Sequence, residues 1–198
     1  MDRINRFLKR VPTWVIYLLG TIPLFIVAWQ TATAIDPVRA LEWGLGLWAV
    51  RLLIATLCVT PLRWAGLNLL RFRRQLGLVA FAYVVLHFAS WLTIDMGLRW
   101  GQILPDLYKR WYILVGMSAL LLLLPLAVTS NTAAIRRLGM QNWTRLHRLA
   151  YLATALAMLH FLMVGKVYTA EVLTYAAILT ALLAARIYRG GLRSLVWA

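Results

Sequence analysis

The sequence has 198 residues, 63% of them apolar, and its mean hydropathy is +0.76. A water-soluble domain has about 45–50% apolar residues, so this composition argues against an ordinary soluble enzyme and predicts contact with lipid. The formal net charge of +15 would suit a nucleic-acid-binding protein. The basic residues lie in clusters between long uncharged runs, however, which is the arrangement of a membrane protein.

The uncharged runs predict an all-α integral membrane protein with a six-transmembrane-helix bundle. Each run approaches the roughly 20 residues that a helix needs to cross about 30 Å of hydrocarbon. The first run resembles a cleavable signal, but its length and the five later spans favour a retained anchor. The last run is short unless Arg186 snorkels to the interface. The predicted spans cover about residues 12–34, 44–62, 75–94, 111–130, 146–165 and 171–188.

The basic residues are distributed unequally between the two sides of this bundle. The N-terminus, residues 63–74 and residues 136–148 each carry four Lys or Arg, and the chain from residue 186 onward carries three. The loops on the opposite side, which include Lys166, carry five in total and contain five of the six acidic residues. The positive-inside rule therefore predicts that both termini are cytoplasmic.

The cysteine content and the glycine pattern exclude several kinds of redox and nucleotide site. Cys58 is the only cysteine, which rules out an internal disulfide, a CxxCH haem attachment and an iron–sulfur cluster held by cysteines alone. No glycine-rich phosphate-binding motif occurs in the chain. If the protein transfers electrons, we expect a partner or a membrane quinol to supply them.

Histidines in the third and fifth predicted spans suggest a haem site. His87 lies about twelve residues into the third span, and His160 lies about fourteen residues into the fifth. Both spans run in the same direction, so both side chains lie at a similar depth, roughly 18–21 Å from the inner edge. Two neutral imidazoles that face each other across a helical bundle can hold a six-coordinate b-type haem. The alternative is that each histidine is a packed polar residue with a hydrogen bond across helices.

The third histidine, His147, lies at the start of the fifth span, near the interface. It precedes His160 by thirteen residues, which leaves the two side chains about 140° apart on a straight helix. A second haem would also need a ligand near the start of the third span. Arg73 and Arg74 stand there, and a guanidinium is a poor iron ligand. One haem is therefore better supported than two.

Arg51 is the remaining charge inside a predicted span. A haem propionate, a flavin phosphate or a quinone oxygen would each satisfy its guanidinium. Snorkelling is the alternative, because Arg51 lies about seven residues into the second span from the outer side. The sequence leaves both interpretations open.

Several short motifs then resemble a known family in their order and spacing. They include Arg51–Leu57, Thr60-Pro61-Leu62, Arg73–Leu78, Leu86-His87, Thr129-Ser130, Leu138-Gly139, Leu146-His147, Tyr151 and His160. Over nearly the whole chain, the sequence resembles the haem-binding membrane subunit of the bacterial periplasmic methionine-sulfoxide reductase system, the MsrQ (YedZ-type) family. Its wider relatives are the ferric reductases and NADPH oxidases. The resemblance implies that residues 1–198 form a single ferric reductase-like transmembrane domain in the bacterial inner membrane.

The resemblance also implies the cofactors, partners and site residues. It implies b-type haem, bound FMN, and electron delivery to a periplasmic molybdopterin-containing methionine-sulfoxide reductase subunit. The donor would be the quinone pool or a cytoplasmic flavin reductase. The haem histidines of the family match His87, His147 and His160, while Arg51 and Arg74 are further candidates for cofactor contacts. Leu45-Gly46 stands where Thr-Gly is expected, and in the wider relatives the inner position of the third span, here Arg73 or Arg74, is a histidine.

The leading hypothesis is therefore an electron-transfer subunit without a substrate site of its own, which supports repair of oxidised periplasmic proteins. A stand-alone ferric or quinone reductase cytochrome b is the rival within the enzyme class. A small carrier or channel with histidine proton relays is the rival within the transport class, and it would call for acidic residues inside the predicted spans, where none is found. A subunit needed only for assembly would tolerate loss of His87 and His160.

Overall fold

A computed structural model of the chain describes residues 2–165 and 168–190, so Lys166 and Arg193, which entered the charge count, lie outside the described residues. All regular elements in these two stretches are helices. They are α1 (Asp2–Arg10), α2 (Val15–Thr33), α3 (Pro37–Trp64), α4 (Arg73–Ser90), α5 (Trp100–Lys109), α6 (Trp111–Val128), α7 (Thr132–His147), α8 (Leu149–Val164) and α9 (Ala170–Gly190). A short 3₁₀ turn precedes α4, and a π-helical turn, Trp91–Asp95, follows it.

Six helical stretches are long and apolar enough to cross a membrane, which confirms the predicted number and order of spans. They are Val15–Thr33, Pro37–Trp64, Leu70–Asp95, Trp111–Val128, Thr132–Val164 and Ala170–Arg189. The large apolar side chains of α2 are mostly exposed; Phe25 and Trp29, for example, are 74% and 72% exposed. Such exposure suits a helix whose outer face contacts lipid. The cytoplasmic location of the termini stays a prediction.

The second span begins seven residues earlier than the predicted start at residue 44. The side chain of Asp36 accepts a hydrogen bond from the backbone N–H of Arg39 at 3.1 Å, and Pro37 occupies the first helical turn. Both features favour a helix start. Glu42, predicted to lie in a loop, is therefore part of α3. Arg51 lies near the middle of this 28-residue helix, so its predicted distance of about seven residues from the outer end is wrong.

The fifth span is not the single straight helix that was predicted over 146–165. The backbone is non-helical at Gly139, where φ is +75°, and α7 ends at His147. A tightened turn follows, in which the N–H of Arg148 bonds to the carbonyl of Arg145 at 3.2 Å and the N–H of Tyr151 bonds to that of Arg148 at 2.9 Å. The offset of about 140° between His147 and His160 assumed a straight helix. It therefore does not describe the chain across this turn.

The sequence reasoning missed α1, α5 and α7, because these helices are too short or too polar to be recognised as spans. Helix α1 is tied to the turn between α3 and α4. The Asn5 side chain donates to the carbonyl of Gly66 at 2.8 Å and accepts from the N–H of Asn68 at 3.0 Å. The guanidinium of Arg71 donates to the carbonyls of Leu8 and Lys9. The basic N-terminal segment and the basic residues 63–74, which were predicted to lie on the same side of the membrane, therefore contact each other.

The described chain divides into two compact units, one up to Leu104 and one from Pro105 onward. In the first unit, α2, α3 and α4 pack against one another. The Tyr83 side chain is buried, and its hydroxyl donates to the carbonyl of Gly20 at 2.7 Å. The apolar core of this unit consists of Val27, Leu45, Ala49, Val79 and Tyr83. This packing holds α4, which carries His87, against α3.

In the second unit, α8 packs against both α6 and α9. Ala153, Met158 and Phe161 of α8 are buried there. Arg186 of α9 is only 5% exposed, and its guanidinium carbon lies 5.1 Å from the centre of the Tyr151 ring. The last helix does continue beyond residue 188, but Arg186 is buried against α8. The last span therefore reaches its length with Arg186 buried, and not through the snorkelling that the sequence analysis offered as the condition.

Candidate functional site

His87 on α4 is directed at the backbone of α3. Its Nδ1 lies 2.9 Å from the carbonyl oxygen of Glu42. A carbonyl oxygen only accepts hydrogen bonds, so Nδ1 must carry a proton, and when the ring is neutral its lone pair is on Nε2. Gly46 lies beside the same ring: a Cβ at this position would be 3.1 Å from both Nδ1 and Cε1 of His87. Helix α3 thus binds the imidazole through a backbone carbonyl, at a point where it has no side chain.

His160 on α8 is held in the same manner by α6. Its Nδ1 lies 2.7 Å from the carbonyl oxygen of Tyr112, so it also carries the proton on Nδ1. A Cβ at Gly116 would be 2.8 Å from Nδ1, 3.0 Å from Cε1 and 3.2 Å from Cγ of His160. The imidazole therefore packs directly on the backbone of α6. As with His87, the ring nitrogen with the lone pair is Nε2.

The two units therefore contain the same local arrangement. In each, a histidine in the C-terminal half of an apolar helix donates Nδ1–H to a carbonyl of a neighbouring helix. A second-shell bond of this kind sets which ring nitrogen can bind a metal and orients the ring. The chemistry available at both positions is ligation by a neutral imidazole through Nε2.

His147 has a different environment. Its Nε2 lies 3.0 Å from the hydroxyl of Thr129, and that hydroxyl lies 2.6 Å from the carbonyl oxygen of Pro125. The hydroxyl has one proton, and the shorter bond to the carbonyl uses it, so Nε2 of His147 is the donor to Thr129. The ring also stacks on Trp143, with centroids 3.9 Å apart. Ligation of a metal through Nε2 of His147 would require Thr129 to give up this contact.

Trp143 completes the surroundings of His147. Its indole N–H donates to the backbone carbonyl of Thr129 at 2.9 Å. The end of α6 and the second half of α7 are thereby joined through a side chain and a backbone group of the same threonine. His147 is thus held by a hydroxyl and an aromatic ring, whereas the other two histidines are held by backbone carbonyls.

Comparison with known proteins places the chain in a family. The family model described as "Ferric reductase like transmembrane component" matches residues 45–158, which include His87 and His147. Proteins of Brucella ovis, Brucella canis and Brucella melitensis are each 46% identical over 185 residues, which is 91% of this chain and 84% of theirs. Each is named "Protein-methionine-sulfoxide reductase heme-binding subunit MsrQ". The chain belongs to the MsrQ family.

This membership confirms the resemblance drawn from the sequence motifs. Together with the six apolar helices, it identifies the chain as a multi-pass membrane protein. The family match begins at Leu45, next to the glycine that contacts His87. Leu45 stands where a threonine was expected in this family. Its side chain is 5% exposed and belongs to the apolar core of the first unit.

The two arginines predicted to contact a cofactor lie in different surroundings. The guanidinium carbon of Arg51 lies 4.8 Å from the centre of the Trp48 ring, one turn earlier on α3, and the residue is partly buried. Arg74 is exposed and is the second residue of α4. Cofactor contacts of Arg51 and Arg74 stay predictions.

Sequence reasoning did not find the groups that hold the histidines. The carbonyls of Glu42 and Tyr112 are backbone atoms, which no sequence pattern marks as special. A usable signal existed in Gly46 and Gly116, because small residues inside membrane helices allow neighbouring groups to approach the backbone closely. Thr129 and His147 were each noticed as part of a family motif, but the contact between them was not predicted.

Proposed function

We propose that this protein is the membrane electron-transfer subunit of a methionine-sulfoxide reductase system and that it relays electrons through b-type haem. The named relatives, at 46% identity over 91% of the chain, are heme-binding subunits of a protein-methionine-sulfoxide reductase. The acceptor would be a periplasmic molybdopterin-containing catalytic subunit, and the relay would support repair of oxidised periplasmic proteins. The protein would have no substrate site of its own.

The observation that carries this proposal is the way His87 and His160 are held. In both rings a backbone carbonyl 2.7–2.9 Å from Nδ1 retains the proton there, which leaves Nε2 as the ligand nitrogen. A haem held by two imidazoles supplies one-electron transfer. The residues present fit such a group, because each ring is held with its Nδ1 on a backbone carbonyl and both rings stand on apolar helices that can exclude water.

The proposed axial pair is His87 with His160, on the third and fifth spans. The support for this pairing comes from the sequence, which predicts both histidines at a similar depth along spans that run in the same direction. His147 is the third candidate ligand, carried over from the family motif Leu146-His147. Its contact with Thr129 makes it the weaker of the three, since ligation through Nε2 would require that contact to be replaced.

FMN is proposed as a second cofactor on the family resemblance alone. Arg51 and Arg74 are the proposed contacts to a propionate or a phosphate, because a guanidinium binds either anion through paired hydrogen bonds. Arg51 is the stronger of the two for a contact within the membrane, since it is partly buried near the middle of α3.

The proposed location is the bacterial inner membrane, with both termini in the cytoplasm and residues 1–198 acting as a single ferric reductase-like domain. The unequal distribution of basic residues supports this orientation. The tie between α1 and the turn before α4 is consistent with it, because it brings two basic segments to one end of the first unit. Electrons would then enter from the quinone pool or from a cytoplasmic flavin reductase and leave on the periplasmic side.

The test is an absorption spectrum of the detergent-purified protein before and after reduction with dithionite. We expect a Soret band and a b-type α-band in the wild type. His87→Ala and His160→Ala should each abolish or strongly alter them, because one imidazole of the proposed axial pair is then lost. Ser118→Ala is a matched control, since this α6 hydroxyl is exposed and bonds to the carbonyl of Leu114 in its own helix. Unchanged spectra in both histidine variants would contradict the ligand assignment.

A stand-alone ferric or quinone reductase is the second candidate, supported by the description of the matching family model. It would use the same haem but pass electrons to a small substrate. The two functions separate in one measurement, which is the rate of ferric-chelate reduction by the purified, pre-reduced protein. Slow chelate reduction by the protein without a partner, together with rapid oxidation of the pre-reduced protein when the periplasmic subunit is added, supports the relay. Rapid chelate reduction without a partner supports the stand-alone enzyme.

A further inference from the structure

Gly46 and Gly116 hold equivalent positions relative to the histidines on neighbouring helices. The carbonyl that binds His87 belongs to Glu42, four residues before Gly46, and the carbonyl that binds His160 belongs to Tyr112, four residues before Gly116. In each case the imidazole therefore contacts a backbone carbonyl and the glycine one turn further along the same helix. We call each such pair of carbonyl and glycine a histidine seat.

The spacing of four residues has a physical cause. In an α-helix the carbonyl of residue i points along the axis toward the N–H of residue i+4. The Cα–Cβ bond of residue i+4 leans back toward the N-terminus, so its side chain covers the turn in which that carbonyl lies. The rings of His87 and His160 lie in this space: their nearest atoms would be 3.1 Å and 2.8 Å from a Cβ added at Gly46 and Gly116. Glycine, which has no Cβ, leaves room there for a ring beside the carbonyl.

We infer that Gly46 and Gly116 are positioning residues for the two haem ligands, because each keeps open the carbonyl that orients a histidine and retains its proton on Nδ1. The inference rests on the proposed haem function and goes beyond it by naming what sets the ligand nitrogen. An added Cβ would compete with the ring for the same space. The imidazole would have to shift relative to the carbonyl, and the direction of Nε2 would change with it.

The other glycines of the first unit show that this role is specific. A Cβ at Gly20 would lie 2.7 Å from a methyl group of Val79, and one at Gly44 would lie 3.1 Å from both methyl groups of Val27. Those two glycines therefore serve ordinary close packing of apolar helices. A Cβ at Gly77 would meet no atom within 4 Å. Among these residues, Gly46 is the one next to a histidine ring.

The experiment compares alanine variants at matched positions. Gly44→Ala is the control for tight packing on α3, two residues from Gly46, and Gly77→Ala is the control for a glycine replaced in open space. Haem content, the reduced spectrum and the haem midpoint potential are measured for each purified protein. We expect Gly46→Ala to weaken haem binding on the order of 10-fold and Gly116→Ala on the order of 100-fold, the range seen when the partners of metal-bound histidines are lost.

The order of these two effects follows from the contacts. At Gly116 the added Cβ would approach His160 to 2.8 Å, whereas at Gly46 it would approach His87 to 3.1 Å. Approaches below 3.0 Å are essentially never seen for real Cβ atoms, so the Gly116 variant must displace its ring, whereas at Gly46 the ring must give way by a few tenths of an ångström. The inference would be overturned if Gly46→Ala had the same midpoint potential and haem content as Gly44→Ala and if Gly116→Ala were also unaffected.

A second measurement needs neither haem nor a variant. Nitrogen-15 NMR of the haem-free wild-type protein, labelled at histidine, reports which ring nitrogen is protonated. We expect two of the three histidines, His87 and His160, to carry the proton on Nδ1. If both of them carry it on Nε2 instead, the inference is overturned, even if the glycine variants fail to fold. If His87→Ala and His160→Ala keep their haem, the proposed function itself fails. If they lose haem while both seat variants match their controls, only the seats are refuted.

Discussion

His160 and His147 lie on the same membrane span, yet the second unit holds them in opposite ways. His160 donates Nδ1–H to a backbone carbonyl of α6, and its ring packs on Gly116. His147 has its Nε2 next to the Thr129 hydroxyl and stacks its ring on Trp143. The two rings therefore favour opposite tautomers. Identical residue types in one span can thus have different chemistry, because the neighbouring helix supplies different partners.

The comparison extends to the first unit, where His87 repeats the arrangement of His160. A backbone carbonyl keeps its position as long as its helix is intact, so a ring that it holds is oriented by the fold. A threonine hydroxyl can rotate and can exchange one partner for another. We therefore expect His87 and His160 to be fixed ligands and His147 to be the adjustable member of the set.

The largest effect is expected from removal of a histidine, and it tests the comparison directly. His160→Ala should abolish the low-spin haem spectrum, because the protein then lacks one axial ligand of the proposed pair. His147→Ala should keep most of that spectrum, since its ring is engaged by Thr129. Haem per protein and the reduced α-band measure both variants. If both variants lose the same amount of haem, the difference in hydrogen bonding between His160 and His147 has no consequence for haem binding.

The next effect concerns Arg186, which packs against α8, the helix that carries His160. Arg186→Ala should lower the stability of the protein by about 2 kcal/mol, the size of a desolvated cation–π contact such as that with Tyr151. Arg186→Lys should recover only part of this loss, because an ammonium group lacks the planar surface of the guanidinium. Thermal unfolding in detergent measures both.

Arg189→Ala is the matched control for Arg186, since Arg189 is exposed one turn later on α9. It should change the stability by no more than about 0.5 kcal/mol, as surface substitutions usually do. If the two alanine variants unfold at the same temperature, the buried contact of Arg186 contributes nothing to the second unit.

A smaller effect is expected at Leu45, where the family is expected to have threonine. Leu45→Thr should cost about 1–2 kcal/mol, because a hydroxyl enters the apolar core but can bond to a carbonyl of its own helix. The haem spectrum should not change, since the seat of His87 consists of the carbonyl of Glu42 and Gly46. Leu62→Thr, at a position that is 37% exposed on the same helix, is the control for stability. A spectral shift in Leu45→Thr alone would show that the seat depends on this side chain.

The contact between Thr129 and His147 can be tested with a substitution that keeps the shape of the side chain. Thr129→Val should lower stability by about 1 kcal/mol, the usual contribution of one hydrogen bond, and should shift the nitrogen-15 signals of His147. Thr154→Val is the control, because this buried hydroxyl bonds to the carbonyl of Ala150 in its own helix. Unshifted His147 signals in Thr129→Val would show that the hydroxyl does not set the tautomer of His147.

The smallest effect is expected at Glu42, although this residue holds His87. Only its backbone carbonyl takes part in the contact, so Glu42→Gln should leave the haem content and the reduced spectrum unchanged. A proton-relay carrier would instead depend on the carboxyl group, which lies within the second span. Loss of haem in Glu42→Gln, measured beside wild type, would show that the carboxyl group is part of the seat.

The sequence alone was enough to predict the number and order of the spans and the histidines worth testing. Runs of apolar residues are a local property, and a run of about 20 crosses the hydrocarbon in whatever bundle it joins. The family was also visible in the sequence, since motifs such as Leu146-His147 keep their order and spacing. Helix ends were less predictable: α3 begins at Pro37 because of its cap and not where the charges stop.

Only the tertiary structure decided what each histidine contacts. The carbonyl of Glu42 meets His87 across 45 residues of chain, and the carbonyl of Tyr112 meets His160 across 48. Such pairs depend on how deeply two helices approach each other, which glycine permits but does not specify. The burial of Arg186 has the same origin, because a long charged side chain can extend to the surface or fold against a neighbour. The composition of a helix predicts whether lipid or water surrounds it, whereas packing decides which residues it contacts.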